Sequence, residues 1–235
     1  MSVQPTIILI PGLMNDAWVW RDVVGPLSRL ASVHIARTDG CDSLAAMARR
    51  IADAVAGPMI VVGHSMGGRV ALELFDQAGP RIMGMVLMDT GVGGPKPTEA
   101  EGRMQLVALA RDEGMAAVAR EWMPPMLSAA ARADAALVAG ITAMLERADA
   151  AIFAGQQQAL IERPDRTALL ATISCPLLAL TGSEDAWAPP AQHQAIADAA
   201  PDGRLEIVEG AGHMLPVEMP DALARILTDF IRPLL

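Results

Sequence analysis

The pentapeptide Gly63-His64-Ser65-Met66-Gly67 constrains this chain more than any other stretch. An apolar, strand-like run, Met59 to Val62, leads into it, and a run of helical character, Gly68 to Gln77, leaves it. A serine with glycine two positions to either side, at a strand-to-helix junction, predicts a turn sharp enough to strain the serine backbone and hold its hydroxyl clear of the sheet. Any Cβ at Gly63 or Gly67 would collide with a neighbouring strand or helix. The amide of Met66 then opens a helix and points towards where an oxyanion would form. The pattern alone also fits a tight glycine turn around an inert serine, so residues further along must decide.

Around this turn, strand and helix signals alternate. Thr6 to Ile10, Val33 to Ala36, Pro58 to Val62, Ile82 to Met88, Pro176 to Leu180 and Arg204 to Val208 read as six short apolar strands. Helical patterns over Ser43 to Ala56, Gly68 to Gln77, Pro190 to Ala199 and Pro220 to Ile231 fall between or after them, with Asp16 to Leu30 as a helix or helical turns. Short apolar strands alternating with helices predict an α/β chain with a mainly parallel, doubly wound sheet.

From about Gly91 to Arg163 the rhythm breaks. No strand signal appears, and helices are expected near Glu99 to Arg111, Gly114 to Trp122, Ala133 to Arg147 and Asp149 to Ile161, with Pro124-Pro125 between them. The expected division is a core of residues 1–90 and 164–235 with a helical cap insertion over 91–163, against the alternative that these helices merely flank the sheet.

A serine hydroxyl needs a base to take its proton and an acid to orient that base. Asp185, in Gly182-Ser183-Glu184-Asp185 after the strand ending at Leu180, is the expected acid. His213, in Gly210-Ala211-Gly212-His213 beyond Val208, is the expected base. Both stand at strand ends, on the same sheet edge as Ser65. Asp89, at the end of the strand after the elbow helix, is an alternative acid, and Glu184 is expected to face solvent. His64 is expected to pack against the sheet, His34 to lie on an inner strand and His193 on a surface helix. Leu13, after Pro11-Gly12, and Met66 are the expected oxyanion amides, with Met14 as the runner-up.

Composition removes several classes. With 235 residues, 52% hydrophobic, the chain can bury a large core as one domain plus an insertion. A net charge of -9 without a Lys/Arg run gives no support for nucleic-acid or anionic-membrane binding. No leader pattern and no membrane-length apolar run is seen. Two cysteines, Cys41 and Cys175, read as reduced thiols of a cytoplasmic protein without metal-ligand neighbours, so no metal site is expected. The fifteen methionines are expected mostly in the core. Met14, Met66, Trp187 and Met214 adjoin candidate catalytic positions and are expected to line a pocket, as is Trp122 from the cap. No Lys/Arg cluster adjoins these loops in sequence, which favours an uncharged substrate, and Arg69 is expected on the elbow-helix surface or in a structural pair.

Pro11-Gly12-Leu13, Gly63-His64-Ser65-Met66-Gly67-Gly68, Gly182-Ser183-Glu184-Asp185 and Gly210-Ala211-Gly212-His213, in that order, resemble the α/β-hydrolase family. The resemblance spans essentially the whole chain. It implies a Ser65/His213/Asp185 triad, oxyanion amides at Leu13 and Met66, an acyl-enzyme and no cofactor. Pro11 stands where many members carry His, and the chain starts at the family's third strand, so six parallel strands are expected rather than eight. Serine at position 65 sets aside members that need a carboxylate nucleophile. A hydrolase of small to medium carboxylic esters or lactones, monomeric or homodimeric, is the leading expectation. Alternatives are a carbon-carbon bond hydrolase or enol-lactonase, and a hydrolase-like ligand-binding protein.

Overall fold

The strands of a computed structural model of the chain, which describes residues 4–235, are β1 (Thr6–Ile10), β2 (Val33–Ile35), β3 (Met59–His64), β4 (Ile82–Met88), β5 (Leu177–Gly182) and β6 (Gly203–Val208). They form one sheet in the order β2-β1-β3-β4-β5-β6, and every pairing is parallel. All six residues of β3 and of β5 are buried, as continuous apolar runs require when helices cover both faces. The edges differ. β6 shows three exposed residues, and β2 is only half-buried. His34 therefore lies on an edge strand and not, as its apolar neighbours suggest, on an inner one.

The helices are α1 (Val24–Ser28), α2 (Leu44–Ala54), α3 (Met66–Ala78), α4 (Glu99–Glu113), α5 (Met115–Trp122), α6 (Ala129–Ala133), α7 (Ala135–Glu146), α8 (Ala150–Ile161), α9 (Pro190–Ala199), α10 (Leu215–Glu218) and α11 (Pro220–Ile231). Their sequences explain their bounds. Ser43 caps α2 by accepting from the Ala46 amide at 3.3 Å, and its buried Leu44, Met47, Ala48 and Ile51 fall on one stripe. Asp134 and Asp149 cap α7 and α8 in the same way.

The segment expected as one helix from Asp16 to Leu30 divides. It forms a 3₁₀ turn, Ala17–Trp20, capped by Asp16, and then the short α1. Five helices, α4 to α8, separate β4 from β5. α4 packs on α8, and α5 on α7. Among the described residues no helix is long and apolar enough to cross a membrane.

One property of this topology positions the site. Strand order reverses between β1 and β3, where Ile10 pairs with Gly63. The crevice beyond the carboxyl ends of two such strands is where doubly wound sheets hold ligands. The loops after β1, β3, β4, β5 and β6 all leave from that edge.

Candidate active site

β3 ends at His64 and α3 begins at Met66, leaving Ser65 alone between them with φ 54° and ψ -117°. Left-handed backbone at a non-glycine residue costs on the order of 1–3 kcal/mol. Both of its peptide groups are held: the Ser65 amide donates to the Met88 carbonyl at 2.8 Å, and the Thr90 hydroxyl donates to the Ser65 carbonyl at 2.6 Å. The flanking glycines have the steric purpose the sequence suggests. A Cβ at Gly63 would run into the Gly67 carbonyl, and one at Gly67 into the carbonyl of Ile10.

Three strand ends bring Ser65, His213 and Asp185 together. The Ser65 hydroxyl lies 2.9 Å from His213 Nε2, and His213 Nδ1 lies 2.8 Å from Asp185 Oδ2. The second contact fixes the tautomer. An ionised carboxylate only accepts, so Nδ1 carries the proton and Nε2 is free to accept from the serine. Burial pushes the Asp185 carboxyl up, but His213 and the Ala188 and Trp187 amides outweigh it and hold the group below its ordinary value. Those two amides reach Asp185 Oδ1 at 2.9 and 2.8 Å. The arrangement suits proton transfer from serine to a histidine whose positive charge is stabilised from behind.

The competing residues are bound up in other contacts. Asp89 is fully buried, with Oδ2 3.6 Å from His64 Nε2, and burial followed by the Asp185 charge pushes its carboxyl well above the ordinary range. Glu184 is exposed yet accepts the Ala129 amide at 2.9 Å, at the start of α6. His64 does not simply pack against the sheet: its Nε2–H donates to the His213 carbonyl at 2.8 Å, and burial with His213 nearby lowers its pKa to about 3. His193 is not on a surface. It is fully buried on α9, where Nε2 accepts the Thr90 amide at 3.1 Å and burial lowers its pKa to about 4.

A cavity of about 490 Å³ opens on Ser65 and His213, with Leu13, Met66, Trp122 and Trp187 in its wall. Met66, as first residue of α3, has an amide without an intrahelical acceptor. The runner-up oxyanion amide is committed elsewhere, since Met14 N donates to Gln156 Oε1 on α8 at 2.9 Å. Two expected lining residues are not in this wall. Met14 lines a separate cavity of about 320 Å³, and Met214 is buried with its amide on Glu218. Met14 has a positive φ of 60°, and Met214 stands just before α10.

The sequence profile of the alpha/beta hydrolase family matches residues 7–226. The chain belongs to the alpha/beta hydrolase family. Among curated members it is 28% identical over 179 residues to a 2-hydroxy-6-oxononadienedioate/2-hydroxy-6-oxononatrienedioate hydrolase of Cupriavidus pinatubonensis, an alignment covering 73% of this chain and 61% of that protein. Over 92 residues, 36% of each chain, it is 34% identical to a pimeloyl-[acyl-carrier protein] methyl ester esterase of Nitrosomonas europaea. A thermophilic esterase from Thermogutta terrifontis, solved with malate bound, superposes with a TM-score of 0.91 at 26% identity, covering 99% of this chain and 91% of that one. The enol-lactonase of Burkholderia xenovorans superposes at 0.86 with 24% identity, over 98% and 92% of the two chains, a likeness of fold.

In this alpha/beta hydrolase, two features escape a reading along the sequence. Arg69, Lys96, Arg103 and Arg163 line the cavity with Ser65, although no Lys/Arg cluster adjoins a candidate catalytic loop in sequence. Arg69 lines the cavity rather than the free surface, and among the described residues it has no ion-pair partner. The chain folding of α3, α4 and α8 collects these residues. The other feature is Glu218 at the end of α10. Its carboxylate accepts the amides of Gly212 and Met214 at 3.0 Å each and that of Ser128 at 3.1 Å. The His213 amide donates to the Met126 carbonyl at 2.7 Å, so the loop is also held from the segment before α6. A Glu five residues after His213 was the available signal.

Proposed function

We propose that the chain is a serine hydrolase of small to medium carboxylic esters or lactones that works through an acyl-enzyme. The observation that carries the reading is the continuous chain of contacts from Ser65 Oγ to His213 at 2.9 Å and from His213 to Asp185 at 2.8 Å. Ser65 Oγ attacks the acyl carbon while His213 Nε2 takes its proton. The amides of Leu13 and Met66 receive the oxyanion of the tetrahedral intermediate. His213 then returns the proton to the departing alkoxide as the C–O bond breaks, leaving the acyl group on Ser65. Water attacks that ester, giving its proton to His213, and the acid leaves as Ser65 regains a proton. Esters of graded acyl length test the reading. Ser65→Ala is expected to lower kcat by roughly three to six orders of magnitude, and retained turnover overturns the role of Ser65.

Residues 91–163 are read as a cap. Trp122 on α5 and Leu160 on α8 in the cavity wall support this. Two unpaired cysteines support a cytoplasmic location. A monomer or homodimer acting on a small molecule is the expected form.

A second reading, a carbon-carbon bond hydrolase or enol-lactonase, is supported by the Cupriavidus relative's activity and by the cationic wall near Ser65. Dienone acids tested beside the esters separate the two. Fluorophosphonate labelling of Ser65 separates both from a ligand-binding protein, which would leave the serine unlabelled.

A further inference from the structure

The chain carries a net charge of -9, yet the cavity beside Ser65 has the opposite sign. Four cationic side chains, Arg69, Lys96, Arg103 and Arg163, face it against the single carboxylate of Glu99. The other acid in the wall, Asp89, is buried and pushed towards its neutral form.

These cations are not equivalent. Arg163 is bidentate to Glu99 at 2.8 and 2.6 Å and also donates to the Leu160, Gly93 and Gly94 carbonyls. Arg103 donates to Glu99 at 2.8 Å and to Gln157 at 2.6 Å. Arg69 makes one hydrogen bond, Nη1 to the Gly93 carbonyl at 2.7 Å, and among the described residues no carboxylate lies within salt-bridge reach of it. A guanidinium has five N–H donors. Burial and the Arg163 charge lower the Arg69 pKa to about 9, so the fold strains against this charge. The Gly93 carbonyl it reaches is also reached by Arg163 at 3.2 Å, and that one bond leaves most of the Arg69 donors unused. A neighbouring cavity of about 280 Å³ shares Arg69, Lys96 and Arg163 in its wall.

We infer that Arg69, with Arg163 and Lys96 behind it, forms a carboxylate subsite, and that the substrate is an ester or lactone bearing a free carboxylate. The inference rests on the hydrolase reading above. Arg69 lies one turn into α3, four residues after Ser65, and both line the same cavity. One helical turn rises about 5.4 Å, so the free carboxylate stands a few bonds from the scissile carbonyl, as in the half-ester of a short dicarboxylic acid. A planar fork suits a planar carboxylate.

The test compares kcat/KM for monoethyl adipate and ethyl hexanoate, which have acyl chains of equal length, by pH-stat at pH 7.5. The wild type is expected to prefer the monoanion by roughly tenfold or more, with the preference shrinking as salt is added. Arg69→Gln should bring the ratio to within about threefold of unity, and Arg69→Lys should keep part of it. Arg204→Gln, on exposed β6, removes one charge outside the cavity and should keep the whole preference. Ser65-dependent hydrolysis of ethyl hexanoate with no preference in the wild type, or a preference that Arg69→Gln leaves intact, overturns the subsite and spares the hydrolase. Should neither ester be turned over and fluorophosphonate leave Ser65 unlabelled, the hydrolase reading fails. Calorimetry with adipate then decides separately: binding that Arg69→Gln weakens tenfold supports the subsite, and absent or unaltered binding overturns it.

Discussion

The carboxylate of Glu218 accepts the amides on both sides of His213, from Gly212 and Met214, each at 3.0 Å. A loop that carries the base of a proton relay is thus pinned by an acid that touches no reacting atom. Hydrogen bonds to a charged acceptor contribute about 1.5–3 kcal/mol each. Partial exposure of Glu218 reduces this, so the expected cost of losing the carboxylate is about 2 kcal/mol in total. Glu218→Gln places an amide N–H₂ against amide donors. It should lower kcat roughly ten- to hundredfold with KM changed less than about threefold, and lower Tm. A KM effect with unchanged kcat would assign Glu218 to substrate binding.

Asp185 and Asp89 both end strands beside the site, and substitution distinguishes them. Asp185→Asn removes the acceptor that sets the His213 tautomer and should lower kcat by roughly 10³–10⁴. Asp89→Asn, whose carboxyl accepts the Gly182 amide at 3.3 Å and stands 3.6 Å from His64 without a hydrogen bond to it, should stay within about tenfold of the wild type. Steady-state kinetics on one ester decides, and a reversed order would move the acid to residue 89.

Gly67 approaches the Ile10 carbonyl at the point where α3 crosses β1. Gly67→Ala forces backbone apart in a packed interior and should cost about 1–3 kcal/mol, read from urea unfolding. The shift also displaces Ser65, so activity should fall by more than the loss of folded protein explains.

The buried histidines make stability depend on pH with a definite sign. His193 stays neutral in the fold down to about pH 4, whereas an unfolded chain protonates it below about 6.5. The unfolded state therefore binds more protons in that window. Stability rises with pH there, by about 1.4 kcal/mol per unit for each such histidine, and is lost as the pH falls. His64 acts in the same sense down to about pH 3. Asp89 acts oppositely, because the fold keeps a proton that the unfolded chain gives up above the ordinary carboxylate range. His193→Gln removes one contribution and isolates it. The slope of unfolding free energy, averaged between pH 4.5 and 6.5, should drop by about 1 kcal/mol per unit relative to the wild type. Equal slopes would mean that His193 is protonated in the fold.

What could be read along the chain was what local chemistry writes there. Gly63 and Gly67 announce a close approach of backbones, and glycine-flanked His213 announces a strand-end loop, because both demands act within a few residues. All six strands stood out as apolar runs, and every helix of ten residues or more had an expected counterpart along the chain. The short α6 and α10 did not, since four or five residues hold less than two helical turns of pattern. The edge position of His34 was hidden because strand order is not a local property. The cationic wall was hidden for a similar reason: Arg69, Arg103 and Arg163 lie on or beside three different helices and come to line one cavity only in the folded chain.

The indole rings of Trp122 and Trp187 lie 4.8 Å apart, and Trp187 lies 5.2 Å from the imidazole of His213. One ring belongs to α5 and the other to the loop that carries Asp185. Intrinsic fluorescence therefore reads two events without any label. Separation of the helical segment from the sheet edge alters the indole pair, and protonation of the neighbouring imidazole quenches Trp187, so a stopped-flow trace would time the arrival of a ligand against the movement of its proton.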